Sequence, residues 1–83
     1  MENIIEVILS TVAEITHRDA KEITPATRLA EDLSLKSVSR IELSALLEDA
    51  LNIPISNFDI LKPRTVGEII AMVQKKLEAA GRL

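Results

Sequence analysis

The chain contains no cysteine, tryptophan or tyrosine, one phenylalanine and one histidine, and each shortage closes off a class of function. Without thiols there is no disulfide framework, no thiolate metal site and no cysteine nucleophile. With His17 as the only imidazole, no multi-histidine metal site can be assembled, and no base is in view to pair with a serine nucleophile. His17 is read as a surface or loop residue. Phe58 is the only aromatic, so the core must be built from Ile, Leu and Val. No apolar run approaches the ~20 residues that span a bilayer. The N-terminal stretch MENIIEVILSTVAEIT carries Glu2 and Glu6 where a signal peptide would need Lys or Arg, so the expected location is cytoplasmic. Two glycines and three prolines are too few for a flexible linker, and Gly67 and Gly81 stand apart from each other, which leaves no glycine-rich phosphate loop.

What remains is a small, mildly acidic chain. Eighty-three residues have room for one hydrophobic core, so residues 1–83 are expected to form a single domain, monomeric in solution. The formal net charge is −3, and the ten basic residues are dispersed, with Lys75-Lys76 the only adjacent pair. A nucleic-acid binder gathers its cations into a patch, so nucleic acid is not an expected partner. Partners with basic surfaces suit the overall charge better.

Apolar spacing predicts an all-α fold, a small bundle of three main helices and one short one. Ile4, Ile5, Ile8, Val12 and Ile15 recur at helical steps over roughly 2–16. Val66, Ile69, Ile70, Val73 and Leu77 do the same near the C-terminus, where Thr65 and Glu68 have the spacing of a capping box and Pro63 discourages continuation from upstream. Between them, SVSRIELSALLEDAL (37–51) has apolar residues spread around much of a helix, which predicts contact with neighbours on more than one side. Residues 17–36, with Pro25 and leucines at 29, 33 and 35, read as a long ordered loop, a feature that is often functional. In NIPISNFDIL (52–61), Ser56 or Asn57 is placed to cap a short helical turn.

The chemistry concentrates in EDLSLKSVSRIEL, residues 31–43, where the loop gives way to the central helix. Ser37 at that junction has a bland reading as an N-cap that satisfies an orphan N–H. It also has a chemical one, because a phosphate esterified to its hydroxyl would sit in the positive field of a helix N-terminus. Glu31-Asp32 reads as a solvated pair, with backbone capping or loose cation binding as the other options. Lys75 and Lys76 complement the dipole at the end of the last helix.

The sequence resembles the acyl carrier protein family over nearly its whole length. The family's D-L-G-x-D-S-L stretch is met by Asp32-Leu33-Ser34-Leu35-Lys36-Ser37-Val38, followed in register by Ser39-Arg40-Ile41-Glu42-Leu43. Leu47-Glu48-Asp49, Ile53-Pro54-Ile55 and Thr65-Val66-Gly67-Glu68 resemble later family segments, as does the order of helices and loops. The resemblance implies that Ser37 accepts 4′-phosphopantetheine as a covalent cofactor, that an acyl group rides on the terminal thiol, and that the apolar core shelters the acyl chain. It further implies a phosphopantetheinyl transferase and acyl-loading and acyl-processing enzymes as partners, in fatty-acid or related lipid biosynthesis. The chain would then be no enzyme: it lacks the convergent acid, base and nucleophile that catalysis needs.

Three positions depart from the pattern: Ser34 for Gly, Lys36 for Asp and Val38 for Leu. Lys36 reverses the family's charge beside the serine and Arg40 adds another cation, while Glu42, Glu48 and Asp49 keep part of the acidic face. These six residues (Lys36, Val38, Arg40, Glu42, Glu48 and Asp49) are the expected partner-recognition set of a specialised carrier. Two other readings stay open. One is a carrier of the same fold for an aminoacyl, polyketide or other activated acid loaded by an adenylating ligase. The other is an unmodified helical adaptor in which Ser37 only caps a helix.

Overall fold

The first helix, α1 (Ile4–Thr16), begins where Asn3 Oδ1 accepts the Ile5 N–H at 3.0 Å, a side-chain cap for one of the orphan donors of a helix start. The computed structural model describes residues 3–82, so Glu2, with which the expected helix began, lies outside the described residues. α1 stops at His17, whose left-handed backbone (φ 56°) turns the chain while the Arg18 N–H donates back to Ala13 O at 3.0 Å. His17 is exposed, in agreement with its reading as a surface residue.

Three further helices follow: α2 (Ser37–Leu51), α3 (Asn57–Leu61) and α4 (Val66–Ala79). Ser56, not Asn57, caps α3, and it does so in a reciprocal box with Asp59 (3.0 and 3.1 Å). Thr65 and Glu68 form the expected box at α4. α2 ends at Asn52, again left-handed (φ 54°), ahead of Pro54. Among the described residues there is no strand, only an isolated bridge between Arg28 and Thr65. Among the described residues, no helix is long and apolar enough to cross a membrane.

The apolar stripes meet in one core. Ile8 and Val12 of α1, Leu43 and Leu47 of α2, Ile60 of α3 and Ile69 and Val73 of α4 have no solvent exposure. Burying each such side chain contributes roughly 1.5–3 kcal/mol. All five apolar positions expected of α4 are buried, and Ile5 is the member of the α1 stripe that stays outside.

The connection between α1 and α2 is ordered as expected, and it includes a 3-10 turn at Ala20–Glu22 that the spacing did not indicate. Its apolar residues Ile23, Leu29, Leu33 and Leu35 reach into the core. Its backbone is stitched to the start of α4: Leu29 N–H to Arg64 O (2.9 Å), Val66 N–H to Thr27 O (3.0 Å) and Gly67 N–H to Pro25 O (2.9 Å). Gly67 is needed for that closeness, because a Cβ there would lie 3.0 Å from Pro25 O. A loop anchored this way is a rigid platform for whatever follows it.

α2 packs against α1 and α3, so it does have neighbours on more than one side. Its all-round apolar character has a second outlet as well. Val38 is 78% exposed, and Ile41 and Leu46 are also among the exposed large apolar residues.

Candidate functional site at the start of the second helix

The approach to Ser37 is fixed residue by residue. Asp32 Oδ2 accepts the Arg28 backbone N–H at 2.8 Å, and its other oxygen pairs with the Arg28 guanidinium at 3.1 Å. That backbone bond and the guanidinium hold the Asp32 carboxyl below the usual carboxylate range. Glu31 lies 3.6 Å from the same guanidinium, so the pair expected to be simply solvated is exposed but organised around Arg28, with Asp32 closing a turn. Ser34 then takes a left-handed conformation (φ 55°), at the position where the resembled motif carries glycine. Leu35 is buried and donates its N–H to Leu29 O at 2.9 Å, and Lys36 turns in extended geometry into α2.

Ser37 does not cap the helix. It is the first helical residue, and the N-cap position belongs to Lys36, which makes no side-chain capping bond. The reason is geometric: the N-cap residue must keep extended backbone, and the chain stays extended only as far as Lys36. Ser37 is exposed, and its hydroxyl makes no hydrogen bond to the described residues. The first internal bond of α2 runs from Arg40 N–H to Lys36 O (2.9 Å), which leaves the N–H groups of Ser37, Val38 and Ser39 without an acceptor among the described residues. An exposed hydroxyl, open N–H groups, the positive end of the helix dipole and the Lys36 ammonium together suit a phosphate ester. These residues fit 4′-phosphopantetheine.

The residues expected to recognise partners divide in two. Lys36, Val38, Glu42 and Asp49 are exposed. Arg40 and Glu48 are half-buried and have work inside the fold. Arg40 Nη1 donates to Leu61 O (3.2 Å) and Pro63 O (2.9 Å), tying α2 to the end of α3. Glu48 Oε1 accepts the Ile55 N–H and so fixes the connection that leads into α3.

Four exposed residues beside this region escaped the sequence reading: Phe58, Leu61, Lys62 and Arg64. The Lys62 ammonium stands 4.5 Å over the Phe58 ring. A usable signal was present, since the capped five-residue helix NFDIL sends Ile60 inward and leaves Phe58 and Leu61, three residues apart, on another side.

Comparison with known proteins agrees with this geometry. Residues 6–73 match the family model described as the phosphopantetheine attachment site. The meromycolate extension acyl carrier protein of Mycobacterium tuberculosis (strain ATCC 25618 / H37Rv) is 35% identical over 74 residues, 89% of this chain and 64% of that protein. The acyl carrier protein of Rhodococcus erythropolis (strain PR4 / NBRC 100887) is 35% identical over 80 residues, covering 96% of this chain and 87% of that protein. The chain belongs to the phosphopantetheine-binding acyl carrier protein family. It spans just under two thirds of the length of the Mycobacterium bovis and Mycobacterium tuberculosis relatives it matches.

Proposed function

We propose that this chain is an acyl carrier for lipid biosynthesis, with 4′-phosphopantetheine esterified to Ser37 Oγ. The observation that carries the reading is Ser37 itself, which lies within the matched family segment, exposed and uncapped at the first position of α2. The bound arm supplies a terminal thiol that holds an acyl group as a thioester. The residues of the chain do the rest. The loop pinned by Leu29, Leu33 and Leu35 presents the Ser37 hydroxyl to solvent, where a transferase can reach it. The open N–H groups of Ser37, Val38 and Ser39 and the Lys36 ammonium favour the phosphodiester charge. The carrier performs no reaction; it raises the local concentration of a thioester at the enzymes that load and process it.

Lys36, Val38, Glu42 and Asp49 form the exposed part of the partner-recognition surface, and Arg40 and Glu48 hold the helices in register beneath it. The reversed charge at Lys36 suits a specialised pathway with its own enzymes. The relatives named as meromycolate extension acyl carrier proteins support a lipid cargo over an aminoacyl one. One carrier domain, acting as a monomer in the cytoplasm, completes the proposal.

Trypsin cutting after Lys36 and Arg40 isolates Ser37-Val38-Ser39-Arg40, a peptide with two serines. After loading by a transferase, fragmentation of this peptide should place the added mass on Ser37. Placement on Ser39, which is half-buried, would overturn the assignment.

A further inference from the structure

An open groove of about 700 Å³ lies where the first turn of α2, the α3–α4 connection and the Arg28–Glu31 turn come together. Its charged lining is Arg28, Arg40, Lys62 and Arg64, set against Glu31 and Glu68. Four cations face these two carboxylates, and Asp32 pairs with Arg28 at the edge, so the region carries one net positive charge on a chain whose net charge is −3. Both carboxylates are already occupied: Glu31 by Arg28, and Glu68 by the N–H groups of Arg64 and Thr65 (3.0 and 3.1 Å). The Arg64 guanidinium has no ion pair among the described residues. Leu61 lines the same groove and is 42% exposed, and Phe58, one turn earlier on α3, is 70% exposed beneath Lys62.

The placement of charge on α2 argues that this is more than a solvated surface. A helix is stabilised by acids in its first turn and bases in its last. α2 has neither. Lys36 stands at its positive end and Asp49 at its negative end, an order that works against the helix dipole, while Arg40 and Glu48, placed likewise, are held by bonds of their own. The other long helices, α1 and α4, both place an acid in the first turn.

Resting on the assignment of Ser37 as the attachment site, we propose that this groove is a docking surface for an acidic patch on a partner protein. The carboxylates of that partner would meet Lys62 and Arg64, and its apolar residues would cover Phe58 and Leu61. Arginine and aromatic side chains are the residue types that concentrate binding energy at protein interfaces. A protein fits better than a flat anionic membrane, because Glu31 and Glu68 sit within the groove and a uniformly negative surface would be pressed against them. The carrier therefore engages at least one partner with polarity opposite to that of a basic enzyme gripping an acidic helix. Ser37 lies one turn before Arg40, so a partner seated here has the arm at its edge.

The test is an NMR titration of the full, isotopically labelled chain with a synthetic helical peptide rich in Glu and Leu. Its copy with Lys in place of Glu and anionic phospholipid vesicles serve as the other arms. The Glu peptide should shift the amides of residues 28–31 and 58–68 and lose affinity as salt rises. The double variant Lys62→Glu/Arg64→Glu, whose fold is checked by its melting curve, should bind it on the order of tenfold more weakly. Equal binding by the double variant, binding of the Lys copy in the groove, binding of vesicles alone, or no binding of any probe would each overturn the proposal. The titration uses the unmodified chain. Failure of the parent to take up phosphopantetheine would therefore defeat the Ser37 assignment separately, and the groove would still be decided.

Discussion

At the start of α4, Thr65 and Glu68 exchange hydrogen bonds across the first turn, an acid sits beside the positive end of the helix, and Lys76 stands near the negative end. At the start of α2 the corresponding position is Lys36, which caps nothing, and the following serine leaves its hydroxyl free in solvent. Both helices are about the same length and bury a face in the same core. The difference is one between a terminus that holds the fold together and one that is left open. The first turn of α4 anchors the long loop through Leu29, Val66 and Gly67, so local stability there holds the platform in place. The first turn of α2 keeps its N–H groups and its serine open, and on the proposed attachment at Ser37 the missing cap leaves space for the arm.

The largest effect expected from this contrast is on α4. Thr65→Ala should lower the unfolding free energy by about 1–2 kcal/mol, since it removes the hydroxyl that accepts the Glu68 N–H and so breaks the capping box. The matching change at α2, Ser37→Ala, should alter it by less than about 0.5 kcal/mol in the same urea titration, because no bond is lost. Equal losses at the two sites would erase the distinction.

Filling the vacant cap is the complementary experiment. Lys36→Asp should raise stability by about 1 kcal/mol by supplying a capping oxygen and reversing an unfavourable charge at the helix dipole. The same variant should be accepted more readily by general fatty-acid enzymes that grip an acidic helix. Improved stability with unchanged enzyme use would mean that Lys36 does not set partner choice.

A smaller effect concerns how α3 is held on α4. Asp59 pairs with the Lys76 ammonium at 2.7 Å, and this bond, with those from Ser56, brings its carboxyl down to about 2. A carboxyl depressed in the folded state stabilises the fold above its unfolded value of about 3.9. That contribution should fall away as pH drops from about 4 toward about 2, following the linkage between protonation and folding. Acid denaturation of Asp59→Asn should show a weaker pH dependence across that window than the parent. Identical curves would show that the pair contributes nothing.

The smallest change expected is at Ser34. Replacing it with Gly relieves a left-handed backbone but adds freedom to the unfolded chain, so a net gain of about 0.5 kcal/mol is expected. A loss on chemical denaturation would show that the Ser34 side chain itself stabilises the turn.

How far the sequence foretold these features depends on how local their causes are. The α4 helix was readable because both of its determinants lie within it: the Thr65–Glu68 spacing and a stripe that turned entirely inward. The loop was readable as ordered because its leucines had nowhere to go but the core. The serine was readable as the candidate site, but its structural role was not. Serine is a favoured N-cap, and only the backbone shows that the chain is still extended at Lys36 and already helical at Ser37. Arg40 and Glu48 were read as surface groups because their partners are carbonyls 21 and 23 residues away and an N–H seven residues away, across turns that no local pattern specifies. The groove was hidden for the same reason: Arg28, Arg40, Lys62 and Arg64 are dispersed in sequence and meet only after folding.

The central claim is that the free hydroxyl of Ser37 is the point of attachment, and intact-protein mass tests it most directly. The parent and Ser37→Ala would be incubated with coenzyme A and a broad-specificity phosphopantetheinyl transferase, and with a second, unrelated transferase. The account predicts one phosphopantetheine added to the parent and none to the variant, with both chains equally folded. A mass gain in Ser37→Ala, or no gain in a folded parent with either transferase, would contradict it.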